Sequence, residues 1–215
     1  MRLFTLYPDL ILVTDTQENG DEMVKKTAKD DIFAAAARLL GQLGYAETTY
    51  KKVAREAGVT EGLIAHHFGS KEKLFIQVER TILRDLHDKL EESLFYSSDG
   101  LGAVTNFIKC FLKYSVDNKE WFTTLLRCSP FILEAGPQEN KAITIECERI
   151  FRLLKDAVAK GIEDKTIRDC DPNMTTYILF STMIGATRAN NIRLNTPAEF
   201  YPEIVAFFRN TLAAK

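Results

Sequence analysis

Residues 44–75 hold the pattern that decides the fold, and they read GYAETTYKKVAREAGVTEGLIAHHFGSKEKLF. The pair Thr48-Thr49, then Thr60 and then Ser70 each precede a helix-favouring run, and hydroxyl side chains at such positions cap the first turn of a helix. Gly58 and Gly69 end the two short helices in between, because glycine adopts the left-handed backbone that closes a helix at little cost. Two short helices joined by a tight glycine turn predict a helix-turn-helix unit.

Longer helices flank this unit on both sides. The helix before it ends at Gly44, and Ser70 starts a long helix that extends to about Phe95. The preceding helix carries one apolar stripe at helical spacing: Ile32, Ala35, Ala36, Leu39, Leu40 and Leu43. These segments predict an amino-terminal domain over residues 23–75. Residues 1–22 differ in composition, and we expect a poorly ordered or accessory extension there.

The remaining chain, residues 76–215, predicts helices and no strands. The 215 residues include only 11 glycines and 6 prolines, which leaves few turns and favours long helices. Five further helices follow residue 100, so the predicted fold is all-α with about nine helices. They form a three-helix helix-turn-helix domain and a second, larger helical domain.

Composition excludes several classes of protein. A formal net charge of -2 excludes a basic coat over the whole surface. The longest apolar runs fall far short of the roughly 18 residues that cross a bilayer, so we expect a soluble, cytoplasmic protein with no membrane partner. The four cysteines are too widely spaced for a metal or redox motif: Cys110, Cys128, Cys147 and Cys170. We expect free thiols, no metal and no cofactor, with a thiol sensor as the alternative.

Local charge distinguishes the helix-turn-helix region from the rest of the chain. Residues 25–75 hold nine lysines and arginines against six acidic residues, an excess of three positive charges in a chain that is negative overall. Such a patch attracts phosphates. Residues 44–75 closely resemble the DNA-binding domain of TetR-family transcriptional regulators, and the resemblance covers about fifty residues. It implies an all-α homodimer whose amino-terminal domains bind double-stranded DNA and whose larger domains bind a small-molecule effector.

The resemblance implies DNA contacts at the helix starts and along the second helix of the unit. The predicted DNA-binding residues are Thr48, Thr49, Tyr50, Thr60, Glu61, Gly62, Leu63, His66, His67 and Lys71. Backbone N–H groups at capped helix starts bind phosphate, and Gly62 lets the helix backbone approach base edges. The family commonly has tyrosine at the positions of Ala65 and His67. For the two histidines, packing and simple solvent exposure stay open, as does an ordinary surface role for Lys71.

Aromatic and apolar stripes in residues 76–215 predict a pocket for a largely apolar effector. Its predicted lining is Phe107, Phe111, Tyr114, Trp121, Phe122, Leu125, Phe151, Leu154, Tyr177, Phe180 and Met183. Arg127, Glu148 and Arg188 are candidates to hold the polar end of the effector. The alternative is that the same stripes form packed core.

The last two predicted helices are apolar on more than one side, which predicts a second contact surface for each. We interpret that surface as a two-fold dimer interface. Its predicted residues are Ile178, Ser181, Gly185, Ala189, Ile192, Ile204, Val205, Phe208 and Leu212. A single large core is the alternative.

The resemblance to TetR-family regulators implies a ligand-responsive repressor that a small, largely apolar effector releases from a pseudo-palindromic operator. An enzyme that acts on a hydrophobic substrate in the helical domain is the alternative. The sequence holds no nucleophile elbow, phosphate loop or His-Glu-x-x-His motif, so no catalytic residue is predicted. A regulator that responds to a partner protein instead of an effector is a third possibility.

Overall fold

A computed structural model of the chain describes residues 27–127, 137–191 and 196–214, and these residues are almost entirely helical. The helices in these ranges are α1 (Ala28–Glu47), α2 (Tyr50–Ala57), α3 (Glu61–Phe68), α4 (Lys71–Phe95), α5 (Gly100–Asp117), α6 (Lys119–Arg127), α7 (Pro137–Glu163), α8 (Pro172–Asn191) and α9 (Phe200–Leu212). The predicted all-α fold of about nine helices is confirmed. The predicted extension, residues 1–22, lies outside the described residues.

The first three helices and the start of α4 share one apolar core. Thr27 begins α1 with a reciprocal cap, because its hydroxyl accepts the N–H of Asp30 while the Asp30 carboxylate accepts the N–H of Thr27 at 2.9 Å. Fully buried side chains from all four helices meet in this core: Ile32, Leu40, Val53, Ile64 and Leu74. We call residues 27–82 and this core the head.

A second core lies among α4, α5, α7, α8 and α9. Helix α4 contributes to both cores, with Leu74 and Val78 in the head and Leu86 and Leu90 in the second core. A 25-residue helix is therefore common to the two halves of the chain. Its length follows from the sequence, since Ser70 caps it and no glycine or proline interrupts it.

Helix α6 joins the second half of the chain to the head by lying against α1. The Thr124 hydroxyl donates to the Ala37 carbonyl oxygen at 3.0 Å, and the Phe33 and Trp121 ring centroids are 5.5 Å apart. Gly41 makes the approach possible, because a Cβ atom there would lie 2.4 Å from the Glu120 carbonyl oxygen. No periodicity pattern identifies this contact, since Gly41 sits inside a regular helix.

Two buried carboxyl groups near the packed helices α4 and α7 differ in their partners. Glu146 accepts hydrogen bonds from Arg84 at 2.7 Å and Arg149 at 3.1 Å. Burial disfavours its charge, but these hydrogen bonds outweigh burial and lower its pKa. Glu79 is only 1% exposed, and neither carboxylate oxygen has a hydrogen-bond partner in the described part of the chain. Burial raises the pKa of Glu79 to about 8.

The cysteines described carry no disulfide. Cys110 and Cys170 are half-buried, and Cys147 is exposed; Cys128 lies outside the described residues. Among the helices of the described ranges, none is long and apolar enough to cross a membrane.

Candidate DNA-binding surface and effector domain

Helix α3 has one face in the core of the head and one face in solvent. Ile64 and Phe68 are buried in the head, and they fix the helix in place. The opposite face is exposed along its whole length: Glu61, Gly62, Ala65, His66 and His67. A short helix held by its inner face and free on its outer face has the form of a helix that enters a DNA groove.

The turn before α3 and the loop after it set the orientation of that helix. Gly58 adopts φ 68° and ψ 31°, a left-handed conformation, and the Val59 N–H donates to the Ala54 carbonyl oxygen at 2.9 Å. The Thr60 hydroxyl then caps α3 by accepting the Leu63 N–H at 3.2 Å. The Tyr50 hydroxyl donates to the Gly69 carbonyl oxygen at 3.1 Å, which ties the start of α2 to the end of α3.

Neither packing nor backbone conformation requires a glycine at position 62 of this surface. A Cβ atom there would meet only the Thr60 hydroxyl oxygen, at 4.0 Å, which is ordinary contact. Its backbone is helical, so no left-handed conformation demands glycine. The absence of a side chain therefore lowers the outer surface of α3 at the point where a base pair would approach.

Lysines surround α3 at the starts of the neighbouring helices. The Lys71 ammonium group lies 4.3 Å from the Tyr45 ring centroid and 3.4 Å from the Ala46 carbonyl oxygen. Partial burial lowers the pKa of Lys71 from its ordinary value, against the attraction of Glu72. Lys51 and Lys73 are exposed near the starts of α2 and α4. Their places at capped helix starts are visible in the sequence, where their charge contributes to the predicted basic patch, but neither lysine is among the predicted DNA contacts.

One predicted DNA contact is wrong. Thr48 is fully buried, and its hydroxyl donates to the Gly44 carbonyl oxygen at 2.8 Å. Its side chain closes the end of α1, where Gly44 has φ 78° and interrupts the regular helix. None of the other nine predicted residues is buried. Thr60 caps α3, which contains Glu61, Gly62, Leu63, His66 and His67, while Thr49 and Tyr50 lie at the start of α2 and Lys71 begins α4. Their contacts with DNA stay a prediction.

The predicted effector lining is mostly packed core. Six of the predicted lining residues are at most 4% exposed: Phe107, Phe111, Tyr114, Phe122, Leu154 and Met183. Phe111 contacts Phe122 edge-to-face with centroids 5.5 Å apart, and Phe180 at 5.8 Å. These rings fill the space that the prediction assigned to a ligand. In the described ranges they therefore fit the alternative given above, a packed core.

The remaining predicted lining residues do not converge on one space. Trp121 packs against the head, and Leu125 contacts both cores. Tyr177 is 57% exposed and lies against Phe151 with centroids 4.7 Å apart. The predicted pocket therefore needs correction, because helical spacing identifies apolar stripes but not the space between them. Of the three charged candidates, Glu148 and Arg188 are exposed.

Helix α8 has an apolar face that the described chain leaves largely exposed. Its inner side is buried through Leu179, Met183 and Ala186. On its outer side Ile178 is 54% exposed, Ser181 is exposed, and a Cβ atom added to Gly185 would have nothing within 4 Å. Further large apolar side chains extend this outer surface: Met174, Tyr177 and Ile184. We call it the outer face of α8.

Helix α9 corrects part of the predicted dimer interface. Phe208 and Leu212 are 5% and 4% exposed and belong to the second core, so they cannot face a partner. Ile204 and Val205 pack partly against the same core. The exposed aromatic residue is their neighbour Phe207, at 64% exposure. Ala189 is half-buried, and Ile192 lies outside the described residues.

One cluster of potential metal ligands occurs in the described residues. His87, Asp88 and Glu91 offer ligand atoms within 4.8 Å of one another on one stretch of α4. The His87 ring is buried and its Nδ1 lies 3.1 Å from an Asp88 carboxylate oxygen, whereas both acidic residues are exposed. The hydrogen bond explains the position of the ring, so we assign no metal role to this cluster.

Comparison with known proteins agrees with this architecture. Residues 32–78 match the family model of bacterial regulatory proteins of the tetR family. An uncharacterized HTH-type transcriptional regulator of Bacillus subtilis, YhgD, is 26% identical over 155 residues, which cover 72% of this chain and 79% of that protein. The relatives found are thus named as transcriptional regulators.

Solved structures share the fold of the whole described chain. The TetR-family regulator PfmR from Thermus thermophilus is 22% identical, with a TM-score of 0.73 over 89% of this chain and 98% of that chain. The regulator FadR from Bacillus subtilis, solved in complex with stearoyl-CoA, is 16% identical, with a TM-score of 0.71 over 85% of this chain and 98% of that chain. The head therefore matches the tetR family of bacterial regulatory proteins, and the chain shares the fold of solved TetR-family transcriptional regulators.

Proposed function

We propose that this regulator is a homodimeric repressor that binds a pseudo-palindromic operator through two copies of α3. The observation that carries the proposal is the exposed face of α3, where Gly62 leaves room that nothing in the described chain fills. Glu61 and His66 flank that room and present groups that can hydrogen-bond to base edges. Repression rather than activation is the simplest outcome of occupying an operator.

Phosphate contacts would come from the helix starts around α3. Thr49, Thr60 and Ser70 cap α2, α3 and α4, which leaves backbone N–H groups in the first turn of each helix. Such N–H groups and the helix dipole favour phosphate. The exposed lysines at positions 51 and 73 add positive charge in the first turns of α2 and α4. These contacts would position the protein, while α3 would supply the sequence preference.

The dimer would form through the outer face of α8 together with Phe207 of α9. The large apolar side chains Ile178 and Tyr177 on α8 and Phe207 on α9 are each more than half exposed. Small residues at positions 181 and 185 would let a second helix approach closely. A two-fold pair of chains would place two α3 helices in successive major grooves, roughly 34–36 Å apart.

Release from the operator would depend on an effector bound in the larger helical half of the chain. Helix α4 is shared by both cores, and α6 contacts α1 through Thr124 and Gly41. A ligand that favours a different arrangement of these helices would change the spacing of the two heads. The stearoyl-CoA bound by the structurally similar FadR supports an effector in this fold.

The proposal includes no catalytic reaction, and it places the protein in the cytoplasm with DNA. The test is a gel-shift measurement with the DNA upstream of its own gene, in the presence of excess unrelated DNA. We expect a complex that resists the competitor and disappears when Ile178→Asp disrupts the dimer. Binding that unrelated DNA abolishes at equal concentration would refute operator recognition. Ile145, exposed on α7, offers the matched control Ile145→Asp.

A further inference from the structure

A groove lies between α5 and α9 in the larger helical domain, and the proposed DNA-binding and dimer surfaces do not include it. Its volume is about 560 Å³, which lies within the range of small-molecule sites. Two helical rows form its walls: Thr105, Lys109 and Lys113 on α5, and Pro202, Ala206 and Arg209 on α9. None of these residues belongs to the predicted effector lining.

The inner part of the groove is apolar. Leu112 is 2% exposed, and Val205 and Tyr201 are half-buried beside it. The Tyr201 hydroxyl lies 3.5 Å from the Ser115 hydroxyl and is a polar group on this surface. The Thr105 hydroxyl is already used, since it donates to the Leu101 carbonyl oxygen at 2.7 Å. The groove can therefore receive an apolar body without leaving buried polar groups unpaired.

The rim of the groove is cationic. Lys109, Lys113 and Arg209 line it, and no carboxylate does. Lys113 pairs with Asp117 one turn further along α5. Throughout residues 27–127, 137–191 and 196–214, neither Lys109 nor Arg209 has an ion-pair partner. Three cations around an apolar groove, in a chain with net charge -2, select for a ligand that carries negative charge.

We propose that this groove binds an amphipathic anion, an apolar body with a carboxylate or phosphate group, and that this anion is the effector. Its role as effector rests on the function proposed above. The apolar part would lie on Leu112 and Val205, and the anionic group would bind Lys109 and Arg209 by charge-assisted hydrogen bonds. The row from position 105 to 113 is about 12 Å long at 1.5 Å per helical residue, which suits a chain of medium length.

The position of the groove on α9 connects it to the proposed dimer surface. Arg209 and Phe207 are two residues apart, which is roughly 200° around a helix with 3.6 residues per turn. The groove and the exposed ring of Phe207 therefore lie on opposite flanks of α9. A ligand that separates α9 from α5 moves Phe207 against the partner chain, and through that contact it changes the spacing of the heads.

The experiment measures binding of three probes to the full chain by isothermal titration calorimetry. Decanoate and decyl phosphate have the same chain with two anionic groups, and decyltrimethylammonium has a cation in their place. The variant combines Lys109→Gln, Lys113→Gln and Arg209→Gln, all at exposed positions. Lys160→Gln, an exposed lysine of α7 outside the groove, is the matched control. Operator affinity is measured in parallel, with and without each probe.

We expect at least one anionic probe to bind, with at least tenfold weaker binding to the triple variant and unchanged binding to the control. The stronger of the two anions identifies the acid group as carboxylate or phosphate. The same probe must weaken operator binding of the wild type at least tenfold. Equal binding of the cationic probe, or unchanged binding to the triple variant, would overturn the site. Binding without an effect on the operator would overturn the effector role. A protein that binds no operator in the absence of probe contradicts the proposed function instead, and the calorimetric result still tests the groove.

Discussion

Replacing Gly62 with alanine should make the protein more stable and its operator complex weaker. The added methyl group meets only the Thr60 hydroxyl oxygen, at 4.0 Å, so folding encounters no clash. Alanine in place of glycine inside an exposed helix gains about 0.5–1 kcal/mol in the free energy of unfolding. For a chain of this size that corresponds to a rise in Tm of about 1–4 °C, which differential scanning calorimetry resolves.

The effect on DNA binding has the opposite sign. The methyl group stands on the outer surface of α3, where the proposal brings base edges against the backbone. A lost base contact costs about 1–3 kcal/mol, and a dimer loses it twice. The operator affinity should therefore fall by about 30-fold or more, while binding to unrelated DNA, which phosphates dominate, changes little.

A graded series separates steric obstruction from helix stability. Leucine has nearly the helix propensity of alanine, so Gly62→Leu should keep most of the gain in Tm and lose still more operator affinity. Fluorescence anisotropy with a labelled operator gives the affinities. Operator binding by Gly62→Ala at wild-type strength would refute the assignment of this face of α3 to the major groove. A fall in Tm would contradict the geometry of the site itself.

Four further predictions address other parts of the molecule. Glu79 has a raised pKa of about 8 in the folded chain, against an ordinary value of 4.5. Folding therefore takes up a proton between about pH 4.5 and 8, and the free energy of unfolding falls as pH rises through that window. Glu79→Gln should flatten this dependence in urea titrations and add about 3 kcal/mol to the free energy of unfolding at pH 7. Gly41→Ala places a methyl against a peptide oxygen of α6 and should cost about 1–3 kcal/mol in thermal unfolding; an unchanged Tm would show that α1 and α6 are not in contact. Ile178→Asp should convert a dimer to a monomer in sedimentation velocity, while Ile145→Asp leaves it a dimer. Lys71→Ala should weaken binding to all DNA sequences and reduce the slope of log affinity against log salt by about 1 per protomer; an unchanged slope would assign Lys71 to its contact with the Tyr45 ring alone.

The helix-turn-helix could be predicted because its signals are local. Caps at Thr60 and Ser70 and the glycine turn at Gly58 each act within a few residues, and the structure has all three as predicted. Thr48 was misassigned for the same reason: its neighbour Thr49 supplies the cap, and the sequence does not say which of two adjacent threonines turns inward. The burial of one and the exposure of the other depend on the break in α1 at Gly44.

The larger half could be predicted only as helices. Apolar residues at positions 207, 208 and 212 fit more than one face of α9, and packing against α5 decides that Phe208 is inside and Phe207 outside. The aromatic residues assigned to an effector pocket fill their own space. The groove was missed because its cations, Lys109 and Arg209, are 100 positions apart and are ordinary surface residues until two helices come together.

The length of the shared helix α4 determines how far a small tilt would move the head. Its 25 residues make a rod about 37 Å long, which packs at one end in the head with α3 and at the other among α5 and α7. Tilting such a rod by roughly 5° displaces its tip by about 3 Å, close to the 3.4 Å rise of one base pair. On the proposed function, an angular change of this size would put a protein that fits its operator one base pair out of register.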